Sequence, residues 1–369
     1  TGKFKMPLVQ KRRVTRQISI GNVKIGSEAP ICVQSMTNTQ TQDVKATTRQ
    51  ILALEKVGCE IIRVAVPDME AALAIEKIKQ QITIPIIADI HFDYRLALAS
   101  ARAGADALRI NPGNIGETKK IRAVVDCAKD HGIPIRIGVN AGSLEKQIEQ
   151  RLGTTAEAMV ESALRNIKIL EDLNFYDIKV SLKASDVSRT VKAYQLLSLK
   201  TNVPFHVGVT EAGGLYAGIT KSAIGIGMLL AQGLGDTIRV SLTRDPVEEI
   251  RTGFEILRAL GIRSRGPELI SCPTCGRCKI DLFKIAEKVE KALLEHPSQI
   301  KVAIMGCIVN GPGEAKEADI GIAGGDGMGI LFKKGKVIRK IHQDQLVDQL
   351  LGEIDNMTKT SEELNGTKE

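Results

Sequence analysis

Four cysteines in the C-terminal part of the chain stand at spacings that suit soft-metal ligation. Cys272-Pro273-Thr274-Cys275 is a C-x-x-C turn, Cys278 follows three residues on, and Cys307 lies in Met305-Gly306-Cys307-Ile308-Val309-Asn310-Gly311-Pro312-Gly313-Glu314. Thiolates bind zinc and iron, and the Pro and Gly residues of both turns free backbone amides for the sulfurs. Three chemistries fit. Four thiolates make a closed tetrahedral zinc site, structural and catalytically inert. Cys272, Cys275 and Cys278 also match the C-x-x-C-x-x-C run of a bacterial ferredoxin, with Cys307 as fourth ligand. In the third, Cys278 stands aside and Glu314 completes the set, leaving one iron held by a displaceable carboxylate and open to a substrate oxygen. Spacing alone leaves all three open. Cys32, Cys59 and Cys127 have apolar neighbours and read as buried structural thiols.

A second group of chemistry-bearing residues interrupts β-branched runs upstream. Arg63, Asp89, His91, Arg109, Asn111, Arg136, Asn140, Lys179, Ser181, Lys183, His206, Thr210, Arg239 and Ser241 alternate with Val and Ile neighbours such as Ile62/Val64, Ile135/Ile137 and Ile238/Val240. Strand side chains alternate faces, so the apolar positions turn to one side and the polar ones to the other. Six of the latter are basic and Asp89 is the nearby strand acid. Unpaired buried cations cost several kcal/mol each, so the group reads as a receptor for a polyanion, and the bidentate fork of Arg favours phosphate oxygens. Glu211, in Thr210-Glu211-Ala212-Gly213-Gly214, would ionise readily among cations and is the candidate proton-handling carboxylate.

These residues need elements that carry them to one place. Short β-rich runs at Ile31–Met36, Ile61–Val66, Pro85–His91, Ala107–Asn111, Pro134–Asn140, Asp177–Lys183, Pro204–Thr210 and Thr237–Leu242 alternate with segments of helical period between Thr47 and Leu260. Eight strand-helix repeats predict a closed (β/α)8 barrel over residues 1–262, with a hairpin around Gly21-Asn22 near its start. The polar set then lines the interior toward the C-terminal face, where barrel enzymes keep their sites. Ile262–Ser271 reads as a linker, and residues 263–355 as a small α+β domain with a helix at Leu282–Leu294, strands at Lys301–Met305, Asp319–Ala323, Gly329–Phe332 and Lys336–Ile341, and a helix at Gln343–Ile354. Residues 356–369 read as a polar, frayed tail. Gly324-Gly325-Asp326-Gly327 precedes a strand instead of a helix, so it is a hairpin turn and no dinucleotide fingerprint.

The composition excludes several classes. With 369 residues, 43% hydrophobic and 25% charged, the chain is long enough for two or three domains and ordinary for a globular protein. No run approaches eighteen apolar residues and the basic N-terminus lacks a secretory h-region, so a cytoplasmic protein without a membrane role is expected. Seven cysteines are too few for a disulfide scaffold and read as thiols in a reducing compartment. The net charge of +8 and the cysteine cluster raise a zinc-ribbon nucleic-acid-binding protein as a rival. Aromatics at 3% and basic residues set inside strands argue against nucleic acid. A pterin-synthase-like barrel enzyme with a structural metal domain is the other rival.

Taken jointly, Ser271 to Arg277, Met305 to Glu314, Arg109-Ile110-Asn111-Pro112-Gly113-Asn114, Ile137-Gly138-Val139-Asn140 and Gly208-Val209-Thr210-Glu211-Ala212-Gly213 resemble the bacterial hydroxymethylbutenyl diphosphate synthases of the methylerythritol phosphate pathway to isoprenoids, from about Arg13 to Gly352. The resemblance implies a pterin-synthase-like barrel joined to a sulfite-reductase-like domain with a [4Fe–4S] cluster. It implies two-electron reductive ring opening of methylerythritol cyclodiphosphate to the allylic diphosphate, with flavodoxin or ferredoxin as donor. By motif position Cys272, Cys275, Cys307 and Glu314 resemble the cluster ligands, and Glu314 thereby belongs to the catalytic centre. Arg63, Arg109, Arg136, Asn140, Lys183 and Ser241 resemble the diphosphate-binding set, with Asp89, His91, His206 and Arg239 beside them. Glu211 resembles the carboxylate that acts on the departing hydroxyl. The family also implies a homodimer in which one subunit's barrel works with its partner's cluster domain.

Overall fold

The computed structural model describes residues 9–294, 296, 298–307 and 315–366, with side chains as far as 358. It divides into two compact units between Arg263 and Ser264. The first opens with the expected hairpin, β1 (Ile18–Ile20) antiparallel to β2 (Val23–Ile25). Ile18, Ile20 and Ile25 pack on Cys32, Ile61, Ile87 and Ala107, which lie at the N-terminal ends of barrel strands, so the hairpin closes that end of the barrel with apolar surface.

Eight parallel strands follow: β3 (Cys32–Met36), β4 (Ile61–Ala65), β5 (Ile86–Asp89), β6 (Ala107–Ile110), β7 (Ile135–Asn140), β8 (Ile178–Lys183), β9 (His206–Val207) and β10 (Thr237–Ile238). They run in the order β8-β7-β6-β5-β4-β3-β10-β9, and a parallel bridge between Val180 and Phe205 joins the two ends. The barrel is therefore closed, with β8 meeting β9 through a single bridge. Outward residues such as Ile62, Val64, Leu108, Ile135, Ile137 and Ile238 form one core with the surrounding helices. Asp43, Asp68, Asp93, Asp186 and Asp245 cap helix starts by accepting backbone N–H bonds, each contributing about 1 kcal/mol.

Several boundaries differ from the sequence reading. The predicted strands Pro204–Thr210 and Thr237–Leu242 keep regular pairing only at β9 and β10. Past them the two segments approach closely: a Cβ added to Gly208 would lie 2.3 Å from the Arg239 carbonyl oxygen, so only glycine fits there. The helix between β9 and β10 spans Leu215–Ala231. Short helices at Pro112–Ile115 and Lys146–Leu152 have no counterpart in the periodicity.

The second unit is an α+β domain with a mixed sheet in the order β11 (Glu268–Ser271), β12 (Lys301–Met305), β13 (Ile320–Gly324), β14 (Met328–Lys333), β15 (Lys336–His342). β11 corrects the expected linker: half-buried Leu269 and Ile270 pair in parallel with Val302 and Ala303. Helices Leu282–Leu293 and Leu346–Gly366 pack Val289, Leu293, Leu346, Leu350 and Ile354 on the sheet. The last helix runs eleven residues beyond Asp355, where a frayed tail was expected; no proline interrupts Asn356–Gly366. No helix among the described residues is long and apolar enough to cross a membrane.

Candidate active site

The polar faces of β4 to β8 and the segments following β9 and β10 converge on one cavity with about 110 Å³ of free space. It is lined by Arg63, Asp89, His91, Arg109, Arg136, Asn140, Ser181, Lys183, Thr210, Arg239 and Ser241. Of the ten barrel residues anticipated at the diphosphate site, nine are in this lining; His206 is not. Strand register brings the cations side by side: Asp89 pairs with Arg109, Arg109 with Arg136, Arg136 with Lys179, and Asn140 with Lys183. Gly138 also faces inward, and an added Cβ there would lie 2.3 Å from Arg109 Nε. The missing side chain is the space that the guanidinium occupies.

Two acids offset part of the positive charge. Arg109 Nη1 donates to Asp89 Oδ1 at 3.0 Å and Arg63 Nε lies 3.5 Å from Asp89 Oδ2. Burial alone would raise the Asp89 pKa, but Arg63, Arg109 and Arg136 outweigh it and hold the carboxyl below its ordinary range. The second acid is Glu249, 3% exposed on helix Pro246–Ala259, which meets Arg239 at 3.4 Å and accepts from Ser35 Oγ at 2.8 Å. Sequence reasoning missed Glu249 because a buried helix acid looks like any other acid of a first turn.

Among the described residues no acid pairs directly with Arg136 or Lys183. Arg136 is 2% exposed, its Nε and Nη1 have no partner among the described residues, and burial followed by Arg63 and Arg109 pushes it well below the usual arginine range. Burial and the neighbouring Arg239 lower Lys183 well below the lysine range. Lys179 lies on the same face of β8 but one residue pair deeper than Ser181, outside the lining, and burial lowers it to about 7. Buried donors without a protein partner are costly unless an acceptor meets them, and a cavity lined by Arg63, Arg109, Arg136, Lys183 and Arg239 has the chemistry to receive a compact polyanion. Glu211 does not line it. That residue is exposed in the loop after Thr210, with left-handed backbone at φ 51°.

In the second unit, β11 and β12 are parallel neighbours, so Cys272, directly after β11, and Cys307, two residues after β12, leave the same end of the sheet. Cys275 is exposed, and Thr274 takes a left-handed φ of 70° within the C-x-x-C turn. Cys278 is turned inward: its thiol donates to the Ile280 carbonyl at 3.2 Å, and a Cβ on Gly306 would lie 2.7 Å from its Sγ. Glu314 and the turn 308–314 lie outside the described residues. Among the described residues no three His, Cys, Asp or Glu side chains converge as a metal site. The donor chemistry still fits a sulfur-ligated metal, since Cys272, Cys275 and Cys307 follow adjacent strand ends and none of the seven cysteines is in a disulfide.

Fold and cavity together define a (β/α)8-barrel protein with a cation-lined cavity at the C-terminal ends of its strands, carrying a separate cysteine-bearing α+β domain. A model of the GcpE TIM-barrel domain matches residues 15–254, and one of the GcpE protein C-terminal domain matches residues 268–356. The chain belongs to the GcpE family. It is 59% identical over 95% of its length to 4-hydroxy-3-methylbut-2-en-1-yl diphosphate synthase (flavodoxin) of Caldanaerobacter subterraneus subsp. tengcongensis, covering 99% of that protein. The proteins of the same name from Geobacter sulfurreducens and Clostridium acetobutylicum are 58% and 56% identical over 93% and 94% of the chain, which covers 98% and 100% of them. A crystal structure of dihydropteroate synthase from Stenotrophomonas maltophilia covers 67% of the chain and 98% of its own at TM-score 0.50 and 14% identity, a likeness of the barrel fold alone.

Proposed function

We propose that this chain is an iron–sulfur oxidoreductase that converts 2-C-methyl-D-erythritol 2,4-cyclodiphosphate into (E)-4-hydroxy-3-methylbut-2-enyl diphosphate, with flavodoxin or a ferredoxin as electron donor. The observation that carries this reading is the cation-lined barrel cavity on a chain whose family relatives, over nearly their whole length, are named for that synthesis. Arg63, Arg109, Arg136, Asn140, Lys183, Arg239 and Ser241 bind the diphosphate, with Asp89 keeping Arg63 and Arg109 in place. Cys272, Cys275, Cys307 and Glu314 would hold a [4Fe–4S] cluster, and Cys278 is engaged elsewhere. When bound, such a cluster supplies single electrons at low potential and a Lewis-acidic iron. Two electrons and two protons enter, the ring C–O bond to phosphate breaks so that this oxygen stays with the diphosphate, and a hydroxyl leaves as water.

Glu211 is the acid for that hydroxyl, brought in by its loop when substrate fills the cavity. The chain acts in a reducing, cytoplasmic setting as a homodimer, each barrel working with the cluster domain of its partner. Mixed dimers of Glu211→Gln and Cys307→Ser chains should then regain about one working site. The function itself is tested by anaerobic incubation with the cyclodiphosphate and reduced flavodoxin, following phosphorus resonances. Replacement of the ring-diphosphate signals by those of an open diphosphate supports it. Zinc-loaded protein that leaves the ring intact after iron–sulfur reconstitution overturns it.

A further inference from the structure

His206 lies behind the cavity and not in its lining. It is fully buried on β9, between β8 and β10. Its Nε2 faces Lys183 Nζ at 3.3 Å, and its Nδ1 faces Thr237 Oγ1 at 2.8 Å. Its backbone carbonyl accepts the Tyr194 hydroxyl proton, and the Tyr194 oxygen accepts the Leu182 N–H at 3.0 Å. The imidazole is thus fixed at both ring nitrogens and through its backbone.

The direction of these bonds follows from donor counting. A bound anion favours the protonated form of Lys183 against the burial and neighbouring cations that lower it; that ammonium has three N–H donors and no acceptor, so in the anion-bound site the nitrogen facing Lys183 carries the lone pair and Nδ1 carries the proton, donated to Thr237. Burial, followed by Lys183, Arg136, Lys179 and Arg63, pushes His206 well below the ordinary histidine range, so the ring stays neutral. This differs from the other supports of the cavity. Asp89 partners Arg63 and Arg109, and Glu249 partners Arg239, each with a charge that cancels part of the cation it holds. A neutral acceptor orients an ammonium without cancelling it.

We propose that His206 is a positioning residue for anion binding: it takes one Nζ–H of Lys183, relays the constraint to Thr237, and leaves the full lysine charge and two donors aimed into the cavity. This rests on the diphosphate reading of that cavity. Because Lys183 would hold the anion equally before and during reaction, loss of the support should raise KM and leave kcat nearly unchanged.

The test is calorimetric titration of the iron-loaded enzyme with the cyclodiphosphate and, separately, with inorganic pyrophosphate, alongside steady-state kinetics. His206→Phe should weaken both Kd values and raise KM about tenfold, with kcat within about twofold. His206→Gln, whose amide oxygen can accept from Lys183, should recover most of the loss. In a Lys183→Met background His206→Phe should have no further effect. If His206→Phe does not fold, Thr237→Val carries the same cycle with an expected loss of about threefold. Unchanged binding in a folded His206 variant, or an equal loss with and without Lys183, overturns the inference alone. Failure of the wild-type protein to bind either anion overturns the diphosphate reading together with it.

Discussion

Arg109 Nη1 and Asp89 Oδ1 are joined at 3.0 Å across two adjacent barrel strands, both side chains almost wholly buried. Removing the carboxylate charge leaves two arginines uncompensated. Asp89→Asn should therefore cost about 3–5 kcal/mol of stability at neutral pH, and pyrophosphate should raise its melting temperature more than that of the wild type. Because the folded pKa is depressed below 3.8, the wild-type advantage is present above that value and is lost as pH falls through the folded pKa. Thermal unfolding of both proteins from pH 7 to pH 2 checks this; equal melting temperatures at pH 7 would refute it.

Lys179 gives a slope with pH in the same direction as Asp89, but its charge destabilises the fold where that of Asp89 stabilises it. The unfolded chain holds its proton up to about 10.5, while the folded protein releases it above about 7, so stability rises with pH across that window. Lys179→Met should stabilise the protein by several kcal/mol at pH 7, with the gain shrinking toward pH 10.5. A pH-independent gain, or a loss at pH 7, would contradict the buried, unpartnered placement of Nζ.

Gly138→Ala tests the packing of the anion site. The new methyl group would clash with the Arg109 guanidinium, 2.3 Å from Nε, and displace it from Asp89. An increase in KM of about tenfold or more is expected, since the loss of one charged donor is worth about 1.5–3 kcal/mol. An unchanged KM would show that Arg109 does not hold substrate.

The cysteines divide by environment. Cys278→Ala should keep the iron content of the wild type, because its thiol is committed to Ile280. Cys272→Ser, Cys275→Ser and Cys307→Ser should each lose most of it. Iron and sulfide analysis of anaerobically purified variants decides; a Cys278 variant without iron would return the ferredoxin-like arrangement.

Period-2 alternation made the barrel legible. Arg63, Arg109 and Arg136 stand out because each interrupts a run of Ile, Val or Leu, and the face they share with Lys183 became the cavity. What escaped depends on contacts between distant or irregular segments. β11 has four residues at a half-buried sheet edge, too short and too weakly alternating to separate from the Arg-Gly-Pro stretch before it. Glu249 compensates Arg239 from a helix, and no local pattern distinguishes that acid from half-buried Glu248 beside it in the same turn. His206 was legible as an inward polar residue, whereas its place behind Lys183 depends on the close approach of β8 and β9. The position of Glu211 follows from loop backbone at positive φ, which strand periodicity does not encode.

The central claim is that turnover in the cationic barrel depends on iron held by the cysteine domain. It is tested most directly by measuring cyclodiphosphate reduction and cluster content in one series of partially reconstituted samples. Turnover should rise in proportion to [4Fe–4S] content, vanish at zero cluster, and reach its maximum near about four irons per chain. Turnover independent of iron, or a fully reconstituted protein that leaves the cyclodiphosphate unchanged, would contradict it.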